Sequence, residues 1–230
     1  LSRAILEKGE VYGIPANLFE ENCQIFLVPM VDPDGVDLVT GGIAQGSIQW
    51  EQAKRLSNNC PSVPFPNGWK ANLLGVDLNL QYPAGWLQAR EIKFSQGYTR
   101  PGPRDYVGKA PLTQRESRAL ADFTNYLDPA LILAYHTQGE QIYWKYDDVD
   151  VPGALALGQE FARLSGYSLE ETPYASGFAG YKDWFIKVWR RPGFTIEAGL
   201  GENPLPISQF DTIYAKNLGI LTTAALGLPA

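Results

Sequence analysis

Short apolar runs that each end at one polar residue are the main pattern along the chain. Residues 131–135 are apolar or aromatic and lead to His136, and residues 194–196 lead to Glu197. Runs of this length next to turn residues are typical of short buried strands, and a similar run at 24–30 predicts another. Because catalytic groups collect at the ends of buried strands in open α/β sheets, His136 and Glu197 are the first candidates for a site.

Helical patterns lie between these strands. Helices are predicted from a capping box formed by Thr113, Gln114, Arg115 and Glu116 to about residue 126, over residues 152–164, and after Ser208. The first helix carries Leu120, Phe123 and Leu127 on its apolar face. Strands that alternate with helices predict an α/β sandwich with a largely buried and at least partly parallel sheet.

Turns and loops fill the rest of the N-terminal half. Asp32-Pro33-Asp34-Gly35 predicts a tight turn. Residues 41–108 are rich in Pro, Gly, Asn and aromatic residues and have no long periodic segment. We predict mostly ordered loop there, and loops of that size in a compact domain are usually functional. No segment divides the chain, so residues 1–230 are predicted to form a single domain.

Composition excludes several classes of function. The net charge of −6 and the pI near 4.9 argue against a nucleic-acid partner. No apolar run approaches the roughly 18 residues of a membrane span, and the mixed start at Leu1 does not have the pattern of a signal peptide. A first residue other than Met suggests that the natural start lies upstream. Cys23 and Cys60 are too few for a disulfide framework and are predicted to be free thiols.

The candidate residues each allow two interpretations. One histidine cannot form a zinc site alone, and a strand-terminal histidine is often a satisfied core residue or a support for another ligand. Glu197 is either a working carboxylate or the ion-pair partner of Arg190 or Arg191, because a buried carboxylate is costly unless it is paired or functional. Asp77 and Asn79 lie on one face if extended, or form an Asx turn. Tyr174, in a loop rich in Gly and Ser, is a lid or a surface residue.

Taken in order, several motifs resemble the carboxypeptidase A-like zinc peptidase family. The matching stretches are 28–35, 75–79, 134–136, 174–184 and 194–197. Two further stretches narrow the resemblance to the bacterial γ-D-glutamyl-meso-diaminopimelate peptidase branch, namely 67–72 and 78–86. The resemblance implies a three-layer α/β/α sandwich with a mixed, mostly parallel central sheet. It also implies one zinc ion and peptidoglycan stem peptides as substrate, in a secreted or cell-wall protein or in the cytoplasm of a sporulating cell.

The resemblance assigns roles to seven positions. They are His136 as a zinc ligand, Glu197 as general base, Lys70 as the cation at the scissile carbonyl, Asp77 as the acceptor that orients a zinc-bound histidine, and Asn79, Tyr174 and Lys182 as substrate-binding residues. Leu80 stands where digestive relatives have an arginine that clamps a terminal carboxylate, so strict exopeptidase activity is not implied. Lys182 is expected to bind the extra carboxylate of diaminopimelate, or else to be a surface lysine beside Asp183.

The family's first zinc motif, His-x-x-Glu, is absent. Only 32 residues precede Pro33, and none is a histidine. The expectation is a domain that lacks its N-terminal strand-helix portion and is inactive as this 230-residue chain. The alternatives are a relative that binds cell-wall peptides without cutting them and, ranked last, a metal-free glycosidase, which needs a second carboxylate opposite Glu197.

Overall fold

The computed structural model describes residues 9–227. Within that range the helices are α1 (Ala16–Asn22), α2 (Pro33–Thr40), α3 (Ile48–Ser57), α4 (Trp86–Ser95), α5 (Arg115–Leu127), α6 (Ala154–Ser165), α7 (Tyr181–Trp189) and α8 (Phe210–Leu226). The strands are β1 (Glu10–Val11), β2 (Ile14–Pro15), β3 (Ile132–His136), β4 (Gln141–Tyr143), β5 (Ser168–Glu170) and β6 (Gly193–Glu197). Single 3₁₀ turns lie at Leu78–Leu80, Tyr174–Ser176 and Ile207–Gln209.

Four strands form the main sheet, in the order β3-β6-β4-β5. β3 pairs with β6 in parallel, β4 pairs with β5 in parallel, and β4 pairs with β6 antiparallel. The sheet is therefore mixed and mostly parallel, as predicted. β1 and β2 form a separate antiparallel pair.

Helices cover both faces of this sheet. Phe194 and Ile196 of β6 pack in one cluster with Phe161 of α6 and Ile220 of α8. Side chains alternate between the faces of a strand, and α7 packs against β6 and β3 where Gly193 leaves room for it. Residues 193–196 are buried from both sides, whereas β3 lies at the edge of the sheet and only Ile132 in it is buried. The three-layer arrangement is confirmed, and the strand before His136 is present, but it is only partly buried instead of buried as predicted.

The predicted strand at residues 24–30 is absent. These residues form neither helix nor strand, and their apolar side chains are exposed, with Leu27 at 63% and Phe26 at 52%. A strand requires a hydrogen-bonded partner, and none pairs with this run within residues 9–227. The apolar pattern shows that these residues favour a strand, but it does not show whether a neighbouring strand is there to pair with them.

The tight turn predicted at residues 32–35 is the start of α2. Asp32 caps this helix, because its side chain accepts a hydrogen bond from the Gly35 N–H, and Pro33 occupies the first helical position. Both residues are favoured at these positions. The Asp-Pro-Asp-Gly pattern is compatible with a turn or with the start of a helix. The apolar residues that follow, including Leu38, favour the helix because they pack into the core.

The segment 41–108 is mostly loop, as predicted, and also contains α3 and α4. Two helix predictions were wrong in detail. α5 begins as predicted but has no capping box, because Thr113 hydrogen-bonds Gln81 instead, and Gln114 precedes the helix without a side-chain cap. Its buried residues are Ser117, Ala121 and Thr124, while Phe123 is 37% exposed. α8 follows a 3₁₀ turn, so Ser208 does not cap it.

Other predictions agree with the structure. α6 and α8 match the predicted helices apart from their ends, and both cysteines are free thiols. Across residues 9–227, none of the helices combines the length and hydropathy that crossing a bilayer would require.

Leu27→Lys should change the free energy of unfolding by less than about 0.5 kcal/mol, because the side chain is already exposed. Ile142→Ala, at a fully buried position, should cost about 2–5 kcal/mol. Urea denaturation of the two variants measures both values. If Leu27→Lys lowered the free energy of unfolding as much as Ile142→Ala, the exposed placement of residues 24–30 would be contradicted.

Candidate active site

His136 and Glu197 lie side by side at the ends of two neighbouring strands. They are register partners in the parallel β3–β6 pair. The pairing continues for one hydrogen bond past the strands, because the Ala198 N–H donates to the His136 carbonyl at 2.8 Å. Adjacent strands are about 4.8 Å apart, and register partners project from the same face. This is the face opposite Phe194 and Ile196, so the imidazole and the carboxylate share one environment.

That environment shifts both protonation equilibria. Burial, reinforced by the positive charge of Lys70 and opposed by Asp77, lowers the pKa of His136 to about 4. The imidazole is therefore neutral at pH 7, the form that can act as a ligand or hydrogen-bond acceptor. Burial raises the pKa of Glu197, against the effect of Lys70, and a more basic carboxylate is a better proton acceptor. Arg191 pairs with Asp128 instead of Glu197, so the predicted alternative pairing to that arginine was wrong.

Lys70 and Asp77 form an ion pair beside this site. Their Nζ and Oδ2 atoms are 3.0 Å apart, with Asp77 almost fully buried and the Lys70 side chain 43% exposed. Asp77 also accepts hydrogen bonds from the N–H groups of Asn79 and Asp105. The Asp77 carboxylate raises the pKa of Lys70, so Lys70 stays charged, and its positive charge acts on both His136 and Glu197.

Asn79 lies one turn from Asp77, within the 3₁₀ turn Leu78–Leu80, so the Asx-turn interpretation of Asp77 holds. The Asn79 Oδ1 atom accepts a hydrogen bond from the Tyr181 N–H at 3.0 Å. Its Nδ2 group makes no hydrogen bond to any residue in the range 9–227 and remains available as a donor. The neighbouring Leu80 is buried in an apolar cluster and offers no charge.

Tyr174 and Lys182 have opposite environments. Tyr174 is 73% exposed, and its ring contacts the Phe178 ring edge-on, with ring centroids 5.2 Å apart. Lys182 is 4% exposed, pairs with Asp183 at 2.6 Å and donates to the Lys145 carbonyl at 2.6 Å. Lys182 is therefore not a surface lysine. Its ammonium group is held between the Asp183 carboxylate and the Lys145 carbonyl.

Three residues that the sequence analysis did not single out complete the charged surroundings. Asp105 is bound by Lys93 at 2.7 Å and by the Arg104 Nε atom at 2.7 Å. Burial opposes ionisation of Asp105, but the hydrogen bonds from Lys93 and Arg104 hold its pKa below the usual value. The sequence signal was an Arg-Asp pair directly after the stiff segment Pro101-Gly102-Pro103, and this pair stands out only after its partners are known.

The described residues do not form a zinc site by themselves. Catalytic zinc is normally held by three protein ligands. His136 is the single histidine of the sequence, and no three His, Cys, Asp or Glu side chains within residues 9–227 come together at one point. A zinc ion held by this part of the chain alone does not fit these residues.

Comparisons with known proteins agree with the motif resemblance. The sequence profile of the zinc carboxypeptidases matches residues 16–218. Gamma-D-glutamyl-L-diamino acid endopeptidase 1 of Lysinibacillus sphaericus is 46% identical over 217 residues, which are 94% of this chain and 52% of that protein. The uncharacterized protein YqgT of Bacillus subtilis (strain 168) is 40% identical over 91% of this chain and 54% of its own length. The chain thus spans about half the length of these curated relatives.

Solved structures support the fold. Carboxypeptidase A from Helicoverpa armigera has a TM-score of 0.53 and 19% identity, over 86% of this chain and 48% of its own. Bovine thrombin-activatable fibrinolysis inhibitor has a TM-score of 0.52 and 18% identity, over 65% of this chain and 55% of its own. At these identities the likeness concerns the fold alone.

The imidazole of His136 should titrate near pH 4 in the folded chain and near its usual value of about 6.5 in urea. Because the folded pKa is the lower one, the unfolded chain binds more protons in this window. The residue's contribution to stability is present above about pH 6.5 and is lost as the pH falls through 4. Proton NMR measures both midpoints, since the sequence has a single histidine. A folded midpoint near 6.5 would contradict this environment.

Proposed function

The chain belongs to the zinc carboxypeptidase family, and we propose that the protein, of which this chain is the whole or a part, hydrolyses γ-D-glutamyl–diaminopimelate bonds in peptidoglycan stem peptides. The observation that carries the proposal is the pairing of His136 with Glu197 at the ends of β3 and β6, on a chain 46% identical to a γ-D-glutamyl-L-diamino acid endopeptidase. Such a substrate places the protein at the cell wall or outside the cell, or in the cytoplasm of a sporulating cell.

The proposed roles follow from the geometry. Glu197 accepts a proton from the attacking water and returns it to the leaving amine, a task favoured by its raised pKa. Lys70 stabilises the negative charge that develops on the scissile carbonyl oxygen, because Asp77 holds it beside Glu197 while half of its side chain stays exposed. A lysine supplies this charge without the two-pronged geometry of an arginine.

Substrate binding is assigned to Asn79, Tyr174 and Lys182. The free Nδ2 group of Asn79 donates to a substrate carboxylate. Tyr174 closes over the bound peptide from its exposed loop. Lys182 is assigned to the side-chain carboxylate of diaminopimelate, which a lysine-type stem peptide does not have.

A second candidate function is binding of cell-wall peptides without cleavage. It is favoured by the single histidine and by the lack of a three-ligand metal group within residues 9–227. Both candidates require that a stem peptide binds beside His136 and Glu197, so peptide binding alone does not separate them.

The isolated chain should bind the tripeptide L-Ala-γ-D-Glu-meso-diaminopimelate, hold less than one equivalent of zinc and release no product, because only one histidine is present. Calorimetry, elemental analysis and chromatographic detection of released amine measure these three properties. Zinc-dependent turnover by the isolated chain would contradict the expectation.

A longer protein that contains this chain and supplies the two missing zinc ligands should hold zinc and cleave the tripeptide, and Glu197→Gln should lower its kcat by about 10²-fold to 10⁴-fold while binding persists. Hydrolysis that Glu197→Gln does not affect would exclude Glu197 as the base. Binding without hydrolysis by this longer protein would favour the second candidate, and failure to bind the tripeptide would contradict both.

Lys182→Met should reduce the preference for diaminopimelate over lysine stem peptides, measured as the ratio of binding constants. Lys187→Met is the control, since Lys187 lies on the same helix but is exposed. Thermal melting checks that loss of the buried pair with Asp183 has not unfolded the variant. An unchanged ratio in a folded Lys182→Met protein would exclude this role.

A further inference from the structure

Arg104 and Lys70 lie on two adjacent backbone segments. The N–H groups of Lys70 and Ala71 both donate to the Pro103 carbonyl, at 2.7 and 2.9 Å. The residue after Pro103 is Arg104, so the two cations leave neighbouring segments. Their side chains are 43% and 44% exposed, and both are therefore accessible to a ligand.

Each of the two cations is anchored on a buried carboxylate. Lys70 Nζ lies 3.0 Å from Asp77 Oδ2, and Arg104 Nε lies 2.7 Å from Asp105 Oδ2. The two carboxylates are 1% and 8% exposed and are linked, because the Asp105 N–H donates to Asp77 Oδ2 at 3.2 Å. Asp77 and Asp105, joined by this hydrogen bond, form one connected frame that fixes the orientation of both cations.

Neutralising Asp105 does not require Arg104. The nearly buried Lys93 side chain, 11% exposed, already binds the Asp105 Oδ1 atom at 2.7 Å. Arg104 contacts Asp105 through Nε alone, and neither of its Nη groups has a hydrogen-bond partner among residues 9–227. The outer edge of the guanidinium is left free.

The backbone at Asp105 supports a functional interpretation of this frame. Its φ is +63°, in the left-handed region that a residue with a side chain rarely adopts. This conformation lets the Asp105 N–H reach Asp77 while its carboxylate reaches Lys93 and Arg104. Strained conformations of this kind cluster at functional sites, where the surroundings hold them in place.

We propose that the free edge of Arg104 hydrogen-bonds a carboxylate of the substrate, and that Lys70, beside the scissile carbonyl, contributes only its positive charge to this binding. A guanidinium edge presents two parallel N–H donors that match the two oxygens of a carboxylate, and Lys70 adds a point charge beside it. The identity of the ligand as a stem peptide rests on the proposed function. The carboxylate-binding pair itself rests on the geometry of Arg104, Asp105 and Lys70.

A stem tripeptide offers this chemistry in two places. A γ-linked D-glutamate keeps its α-carboxylate free next to the scissile bond, whereas an α-linked peptide does not. Diaminopimelate carries carboxylates on the other side of that bond. Either group fits the pair, and amide analogues of the tripeptide distinguish them.

The main experiment compares binding of L-Ala-γ-D-Glu-meso-diaminopimelate by calorimetry. Arg104→Gln should weaken binding about tenfold or more, and the affinity of Arg104→Lys should lie between those of Arg104→Gln and the wild type. Arg163→Gln is the matched control, since Arg163 also pairs with a carboxylate, Glu160, but lies on α6. Its affinity should equal that of the wild type. Equal affinities for the wild type and both Arg104 variants would overturn the proposal.

Two analogues identify the carboxylate. In one the α-carboxylate of D-glutamate is an amide, and in the other a diaminopimelate carboxylate is an amide. The wild type should lose affinity for the analogue that lacks the recognised group, and Arg104→Gln should no longer distinguish that analogue from the parent peptide. If every variant keeps the wild-type discrimination, Arg104 does not bind either carboxylate.

A titration with glutarate separates this inference from the proposed function. The Nε–Hε NMR signal of Arg104, assigned by its absence in Arg104→Lys, should shift when this simple dicarboxylate is added. A shift without tripeptide binding supports the carboxylate site and contradicts the peptidase assignment. Tripeptide binding without a shift overturns the site and leaves the function standing. The shift of this signal is measured in the wild type, so the titration can be interpreted even if Arg104→Gln fails to fold.

Discussion

Because β3 and β6 run in parallel and in register, the last residue of each strand lies beside the last residue of the other. A slip of one residue would turn His136 or Glu197 to the opposite face. β6 resists such a slip, since Phe194 and Ile196 are fully buried in the core and β4 pairs along its other edge. The packing of an apolar strand thus determines where a polar site forms.

Two buried carboxylates organise the cations around that site. Burying an ionised carboxylate is costly unless charge and hydrogen bonds compensate it. Asp77 is compensated by Lys70 and two backbone N–H groups, and Asp105 by Lys93 and Arg104. The same contacts orient the cations, which are otherwise long and flexible side chains. The requirement to satisfy the carboxylates therefore produces a rigid positive surface beside Glu197.

The sequence predicted the elements whose signal is local. β6, α6 and the choice of His136 and Glu197 as site candidates follow from apolar runs and from the rule that strand ends hold functional groups. Residues 24–30 were mispredicted because their exposure depends on a strand partner, which periodicity does not report. Arg104 was missed because its role depends on Asp105 reaching Asp77, 28 positions earlier in the chain. Contacts at that separation leave no mark on local composition.

The charge of the whole chain and the charge of the site have opposite signs, and their ranges of action differ. With 25 acidic and 19 basic residues the protein repels an anionic peptide at a distance. Salt screens exposed charges beyond about 8–10 Å, so this repulsion is weak under cellular conditions. Lys70 and Arg104 act at contact, where screening is small. Attraction therefore begins only when a carboxylate reaches the site, which favours ligands of the right geometry over anions in general.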